Sequence, residues 1–375
     1  MQIGIDARLY SQTGVGRYIK NLISELALLD SDNNYTVYLE KKDYSLFELP
    51  NKNWKKRMVN IRWHSLTEQF LMPNIFLRDQ LDVIHLPYFN VPIFCLQKYL
   101  LTIHDLIIDH FDTGRASTHF YPFYKAKRIG YKISLSLGIK RAGAITAISQ
   151  TTKKEIIDHY RINPEKIVVT YDALDKSFQE LLQKRREKSI YNFPYILYVG
   201  NAYPHKNLER LIQAFKLIRK KKDVKLIFVG EDSYFYPRLK KYASNEGFSD
   251  EIIFFGEADN KLLISLYTYA SCLVFPSLME GFGLPNFEAV ACGVLPVVSD
   301  IPVFREIWDD NLIFFNPLDY RDIAEKILCV LHFSTSEYSS RLQVLKNTLN
   351  KFSWKKTAIT TLKLYEQIFN KKNIL

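Results

Sequence analysis

Short apolar runs alternate with helical patterns from one end of the chain to the other. In the first half QIGID (2–6), YTVYL (35–39), VNIRW (59–63), DVIHL (82–86), YLLTIHD (99–105), AITAIS (144–149) and IVVTY (167–171) read as strands. Most are nearly continuous in Ile, Val, Leu and Tyr rather than alternating, as strands buried on both faces of a parallel sheet should be. Helical patterns fall between them. The segment 15–29 sets Ile19, Leu22, Ile23 and Leu26 on one stripe.

The charged, apolar-poor tract ELLQKRREKSIYNF (180–193) interrupts this rhythm before Pro194, and the domain boundary is placed there. The rhythm then restarts with YILYVG, VKLIFVG, IIFFGE, CLVFPS and VLPVVSD, and one intervening helix carries Leu208, Leu211, Ile212, Phe215 and Ile218 on one face. Two successive βα arrays predict an α/β protein of two doubly wound domains with a cleft between them. The expected spans are 1–185 and 194–352. A closing helix over 353–375 is expected to pack back toward the first domain.

Length agrees, since 375 residues exceed what one core normally accommodates. With 51 Lys and Arg against 40 Asp and Glu, the formal charge is +11, which favours anionic partners without choosing among phosphates, nucleic acid and acidic membrane. Cys95, Cys272, Cys292 and Cys329 lie far apart in apolar stretches, and read as reduced, buried thiols of a cytosolic protein. The N-terminus lacks the pattern of a signal peptide, and no run reaches the length of a membrane span.

Ligands of open α/β sheets bind beyond the carboxyl ends of the strands, so the loops there carry the candidate chemistry. TGVGRY (13–18) follows the first strand; Gly14 and Gly16 would let backbone amides approach an anion at a helix N-terminus. Ile19 stands where a dinucleotide fingerprint needs glycine, which disfavours a nicotinamide enzyme. In YVGNAYPHKNLERL (198–211), Asn207 suits a helix N-cap, and Lys206 places a mobile ammonium where a phosphate would sit. In SLMEGFGLPNFEAVACG (277–293), Pro285 suits the first turn of a helix, and Glu288 is expected in that turn. A carboxylate there can accept hydrogen bonds from two vicinal hydroxyls, as on a ribose. Glu280 lies across the glycine loop, whose exposed Gly281–Gly283 amides would add donors. The bland alternatives are a glycine turn, a surface lysine and carboxylates that merely suit a helix dipole.

The chain resembles the family 4 retaining glycosyltransferases of the GT-B fold. The resemblance runs through GIDARLYSQTGVGRYI, TIHDL, ITAISQTTKKEI, YVGNAYPHKNLERLIQAF, PSLMEGFGLPNFEAVACG and FSWKKTAITTLKLYEQI. It implies two Rossmann-like domains facing across a cleft that close on a nucleotide sugar. By that similarity Glu288 would bind the nucleotide ribose, Glu280 the donor sugar, and Lys206 the diphosphate, helped by amides of Gly281, Phe282, Gly283 and Leu284. Gly14 and Gly16 would approach the donor phosphates or the acceptor, and His104 would lie near the reacting sugar. One position departs from the pattern: many members carry arginine after the glycine of the second motif, where this chain has Asn201. His205 stands where some have arginine, and its charge would depend on pH.

The resemblance implies a front-face substitution that retains configuration, with no cofactor and no metal. The donor would be a GDP- or UDP-linked hexose, with a mannose-like sugar suggested by the GIDAR…TGVGRY…PHKN variant. The acceptor would be a saccharide, free or polyprenyl-linked, in bacterial surface polysaccharide synthesis. A nucleotide-sugar 2-epimerase and a non-catalytic scaffold are the alternatives. DSD (30–32) reads as a turn rather than a metal motif, and HDLIIDH (104–110) matches no zinc spacing.

Residues 113–154 contain no acid and interleave nine cations with aromatic side chains. They predict an anionic membrane surface rather than nucleic acid, the bland alternative being a core helix with a solvated basic face, and NWKKRMVNIRW (53–63) is a second, weaker such segment. The expected location is therefore peripheral, on the cytoplasmic face of the cell membrane.

Overall fold

The structure, a computed structural model, describes residues 1–111, 121–184, 188–231 and 234–371, with the backbone alone over 121–128. The chain divides into two compact units. One comprises Met1–Leu106, His119–Asp172 and Ser353–Leu375, the other Ile107–Thr118 and Ala173–Phe352.

The first unit is built on β1 (Gln2–Asp6), β2 (Asn34–Leu39), β3 (Trp54–Met58), β4 (Val83–Leu86), β5 (Tyr99–Ile103), β6 (Ala144–Ala147) and β7 (Ile167–Val169). They form one seven-stranded sheet, in the order β3-β2-β1-β4-β5-β6-β7, with every pair parallel. The strand order reverses beside β1, so β1 and β4 flank the crevice where such sheets take ligands. The second unit uses β8 (Tyr195–Val199), β9 (Lys225–Val229), β10 (Ile252–Gly256), β11 (Cys272–Phe275), β12 (Pro296–Ser299) and β13 (Ile313–Phe315). Its order, β10-β9-β8-β11-β12-β13, is again all parallel and reverses between β8 and β11.

The sheets are sealed by the stripes that the sequence displays. Ile19, Leu22, Ile23 and Leu26 of the helix Gly14–Leu29 are buried, as are Leu208, Leu211, Ile212, Phe215 and Ile218 of the helix Leu208–Arg219. The closing helix Trp354–Asn370 belongs to the first unit, where Trp354 meets Tyr18 edge-on and Tyr365 bonds His85 at 2.6 Å.

Several expectations change. The third strand is WKKRM, not VNIRW: Trp54 stacks on Tyr35 at 4.1 Å and sets the register along β2. Segment 53–63 therefore spends its first tryptophan on the core and its Arg57 on Asp79, while Met58 stays exposed. A sixth strand, β13, joins the second sheet. The first unit ends at Asp172 rather than 185, because the helix Lys176–Gln183 packs Phe178 on Tyr267 of the second unit. Cys95, Cys272 and Cys292 are buried, whereas Cys329 is exposed.

Candidate active site

In the second unit, the loops after β8 and β11 bring together most of the residues singled out above. β8 runs into Gly200, whose carbonyl accepts the hydroxyl of Tyr236 at 2.7 Å. Asn201 follows, its carbonyl held by Tyr198 at 2.7 Å. A single 3-10 turn, Pro204–Lys206, then presents the lysine. Asn207 precedes the helix but does not cap it with its side chain. Held at φ +61°, it turns its amide to the carbonyls of Pro276 and Pro317, at 3.1 and 2.7 Å. That cross-link fastens the lysine turn to the end of β11.

Lys206 Nζ lies 2.6 Å from Glu280 Oε1, with the two side chains only 12% and 9% exposed. The ammonium also sits 5.3 Å from the centroid of the Phe275 ring. A nearly buried ion pair of this kind is fixed in place, because separating the partners would strand a charge.

Beyond Glu280 the chain turns through Gly281, Phe282 and Gly283 into the helix Leu284–Ala291. Gly283 has φ +90°, and a Cβ there would come within 2.6 Å of Phe304, so the turn requires glycine. The loop expected to be exposed is instead buried. Phe282 stacks on Phe287 at 4.8 Å and meets Phe352 edge-on, and Gly281–Gly283 are buried with it.

Glu288 lies in the second turn of this helix, not the first, and is 2% exposed. Tyr267, from the helix Asn260–Thr268, donates its hydroxyl to Glu288 Oε2 at 2.8 Å. Nothing in the sequence marks Tyr267, since it comes from a different helix with no motif of its own. His205 is buried against Tyr203 and Phe111. Burial, with help from Lys206, pulls its pKa down to about 3. It is neutral near pH 7 and adds no pH-dependent charge there. Beside it, Lys206 carries its charge already paired with Glu280.

In the first unit His104 opens the loop after β5. Its Nε2 donates to the carbonyl of Pro87 at 2.9 Å, Tyr18 stands edge-on at 5.0 Å, and burial lowers its pKa to about 4. Nearby, Asp6, Leu9, Trp63, Leu86, Pro87, Tyr88 and Asn90 line a recess at the carboxyl ends of β1 and β4. Arg8 supports its rim by pairing with Asp6 and with the fully buried Glu68. The GIDAR motif was the only trace of this recess in the sequence. Gly16 permits a close approach, as a Cβ there would fall 2.4 Å from the Tyr10 carbonyl, whereas Gly14 faces open space.

Asp30 of DSD accepts the backbone amides of Asp32 and Asn33, which makes it a turn. Among the described residues no group of three or more His, Cys, Asp or Glu could hold a metal ion. Likewise, no helix among them is long and apolar enough to cross a membrane. In segment 113–154, residues 113–120 and the side chains of 121–128 lie outside the described residues.

Two family models divide the chain between them: Glycosyltransferase Family 4 matches residues 12–178 and Glycosyl transferases group 1 matches 180–344. The chain is a family 4 glycosyltransferase. This glycosyltransferase is 27% identical over 319 residues to the O-antigen chain mannosyltransferase RfbU of Salmonella typhimurium, spanning 82% of this chain and 84% of the relative. It is 27% identical over 384 residues to the O-antigen chain mannosyltransferase B of Escherichia coli, spanning 95% and 97%. The sucrose-phosphate synthase of Thermosynechococcus elongatus superposes with a TM-score of 0.75 over 98% of this chain and 99% of that one, at 16% identity. The glycosyltransferase thus has the GT-B fold, with its two doubly wound sheets.

Proposed function

We propose that the enzyme transfers mannose from a nucleotide sugar to a lipid-linked saccharide during synthesis of an O-antigen-type polysaccharide, at the inner face of the membrane. The observation that carries this reading is the cluster at the carboxyl ends of β8 and β11. There a paired Lys206 and Glu280 stand beside a glycine turn, and a buried Glu288 follows. Glu288 would take the ribose hydroxyls, Lys206 the diphosphate and Glu280 a hydroxyl of the sugar. The names of both mannosyltransferase relatives support the choice of sugar.

In the proposed reaction the bond between the anomeric carbon and the phosphate oxygen breaks, and a bond to the acceptor oxygen forms on the same face. The acceptor proton passes to the departing phosphate. Lys206 stabilises the negative charge that develops there, so no metal is invoked. His104, held neutral by burial, would hydrogen-bond the sugar rather than act as a general acid.

A thermal-shift panel of GDP-, UDP- and dTDP-sugars tests the donor, since a ligand that binds only the folded state raises the melting temperature. GDP-mannose is expected to give the largest shift. Product analysis then checks anomeric configuration, with EDTA expected to leave the rate unchanged. Inversion, an EDTA-sensitive rate, or release of an epimerised sugar without an acceptor would each contradict the mechanism.

A further inference from the structure

The helix Leu66–Arg78 is apolar on two sides. Its inward face buries Met72 and Phe76. Its outward face carries Leu66, Phe70 and Leu77, which are 85%, 56% and 66% exposed. At about 100° per residue these three fall in one narrow stripe, where a helix facing water normally places polar groups. The apolar surface continues onto the neighbouring loop. Phe70 stacks on Phe94 at 4.6 Å, the Ile93 amide donates to Gln69 Oε1 at 2.7 Å, and Leu96 stands 88% exposed.

The helix Tyr121–Arg141 is tied to that loop by Ser134 donating to the Val91 carbonyl at 2.9 Å and Arg141 to the Ile93 carbonyl at 2.7 Å. It adds the exposed Ile129 and Ile133. Neither 88–103 nor 113–154 contains an acid, while together they supply Lys98, Lys132, Lys140 and Arg141. The flanking acids are engaged elsewhere, Glu68 by Arg8 and Asp79 by Arg57.

We propose that this face docks on an anionic lipid bilayer. Leu66, Phe70, Phe94 and Leu96 enter the interfacial layer, and the cations around them meet lipid phosphates. Charge selects this occupant: in a symmetric dimer a second copy would bring the same acid-free, cationic surface against itself. The proposal gives the membrane placement argued above a specific surface, but it rests on this face alone.

The test is flotation of the full-length protein with phosphatidylcholine vesicles, with and without phosphatidylglycerol. Wild type is expected to float with the anionic vesicles and to be released by high salt. The Leu66→Gln/Phe70→Gln/Leu96→Gln variant should partition about tenfold or more weakly, with an unchanged melting temperature. Leu96→Glu alone, at a loop position outside any core, should also weaken binding, which keeps the result independent of how the triple variant folds. Nucleoside-diphosphate binding, read separately by thermal shift, distinguishes failure of the donor-site reading from failure of this one. The proposal is overturned if wild type does not float with anionic vesicles, floats equally well with neutral ones, or is matched by both variants. A wild-type dimer that the triple variant splits, with no vesicle binding, would also overturn it and assign the face to self-association.

Discussion

Glu288 is almost sealed from solvent, yet the ribose reading asks it to take up hydroxyl groups. Tyr267 reconciles the two, because its hydroxyl holds one carboxylate oxygen and so orients the other. Tyr267→Phe should weaken nucleotide binding by about tenfold, roughly the 1.4 kcal/mol of one hydrogen bond to a charged group, as measured by calorimetric titration. Unchanged affinity would remove Tyr267 from the site.

Asp172 is a second buried carboxyl, with burial pushing its pKa up to about 7. The unfolded chain ionises it near 3.9, so the protonated fold is favoured below that pH and loses the advantage as pH rises toward 7. Asp172→Asn should therefore raise the melting temperature more at pH 8 than at pH 5. An equal effect at both pH values would refute this. His85, His104 and His205 act in the opposite direction. Burial holds them near 3, 4 and 3, so their contribution is complete above about 6.5 and falls on acidification.

The strands were legible where burial on both faces leaves a continuous apolar run, as in β5 and β11. The third strand was not, because β3 lies at the sheet edge and carries Lys55, Lys56 and Arg57, which apolar patterning passes over. Lys56 pairs with Val37 along the ladder, and its ammonium reaches the carbonyls of Tyr44 and Phe47, each at 2.8 Å. The outward apolar stripe of Leu66–Arg78 was hidden for the converse reason: in sequence it merges with the core stripe behind it. At the glycine turns, the spacing revealed the motif but not which glycine is constrained. Gly16→Ala should destabilise by about 1–3 kcal/mol in denaturant unfolding, through contact with the Tyr10 carbonyl. Gly14→Ala should leave stability nearly unchanged. A reversed order would mean that the loop packs differently.

For the whole molecule, the two βα arrays were enough to indicate two doubly wound domains, and the resemblance of the motifs to family 4 implied a GT-B glycosyltransferase. The Lys206–Glu280 pair was less accessible, because it joins loops 74 residues apart. Its net charge is zero, and with His205 neutral and Asn201 in place of arginine, a diphosphate bound as proposed would meet little positive charge from these residues. Affinity for the donor would then depend on oriented hydrogen bonds, above all those of Glu288. The most direct test is mannosyl transfer from GDP-mannose to a polyprenyl-linked saccharide by wild type and by Glu288→Ala. Mannosylated product from wild type, and a rate at least about a hundredfold lower in the variant, is the predicted result. Transfer at the same rate by both proteins would contradict the assignment of the site.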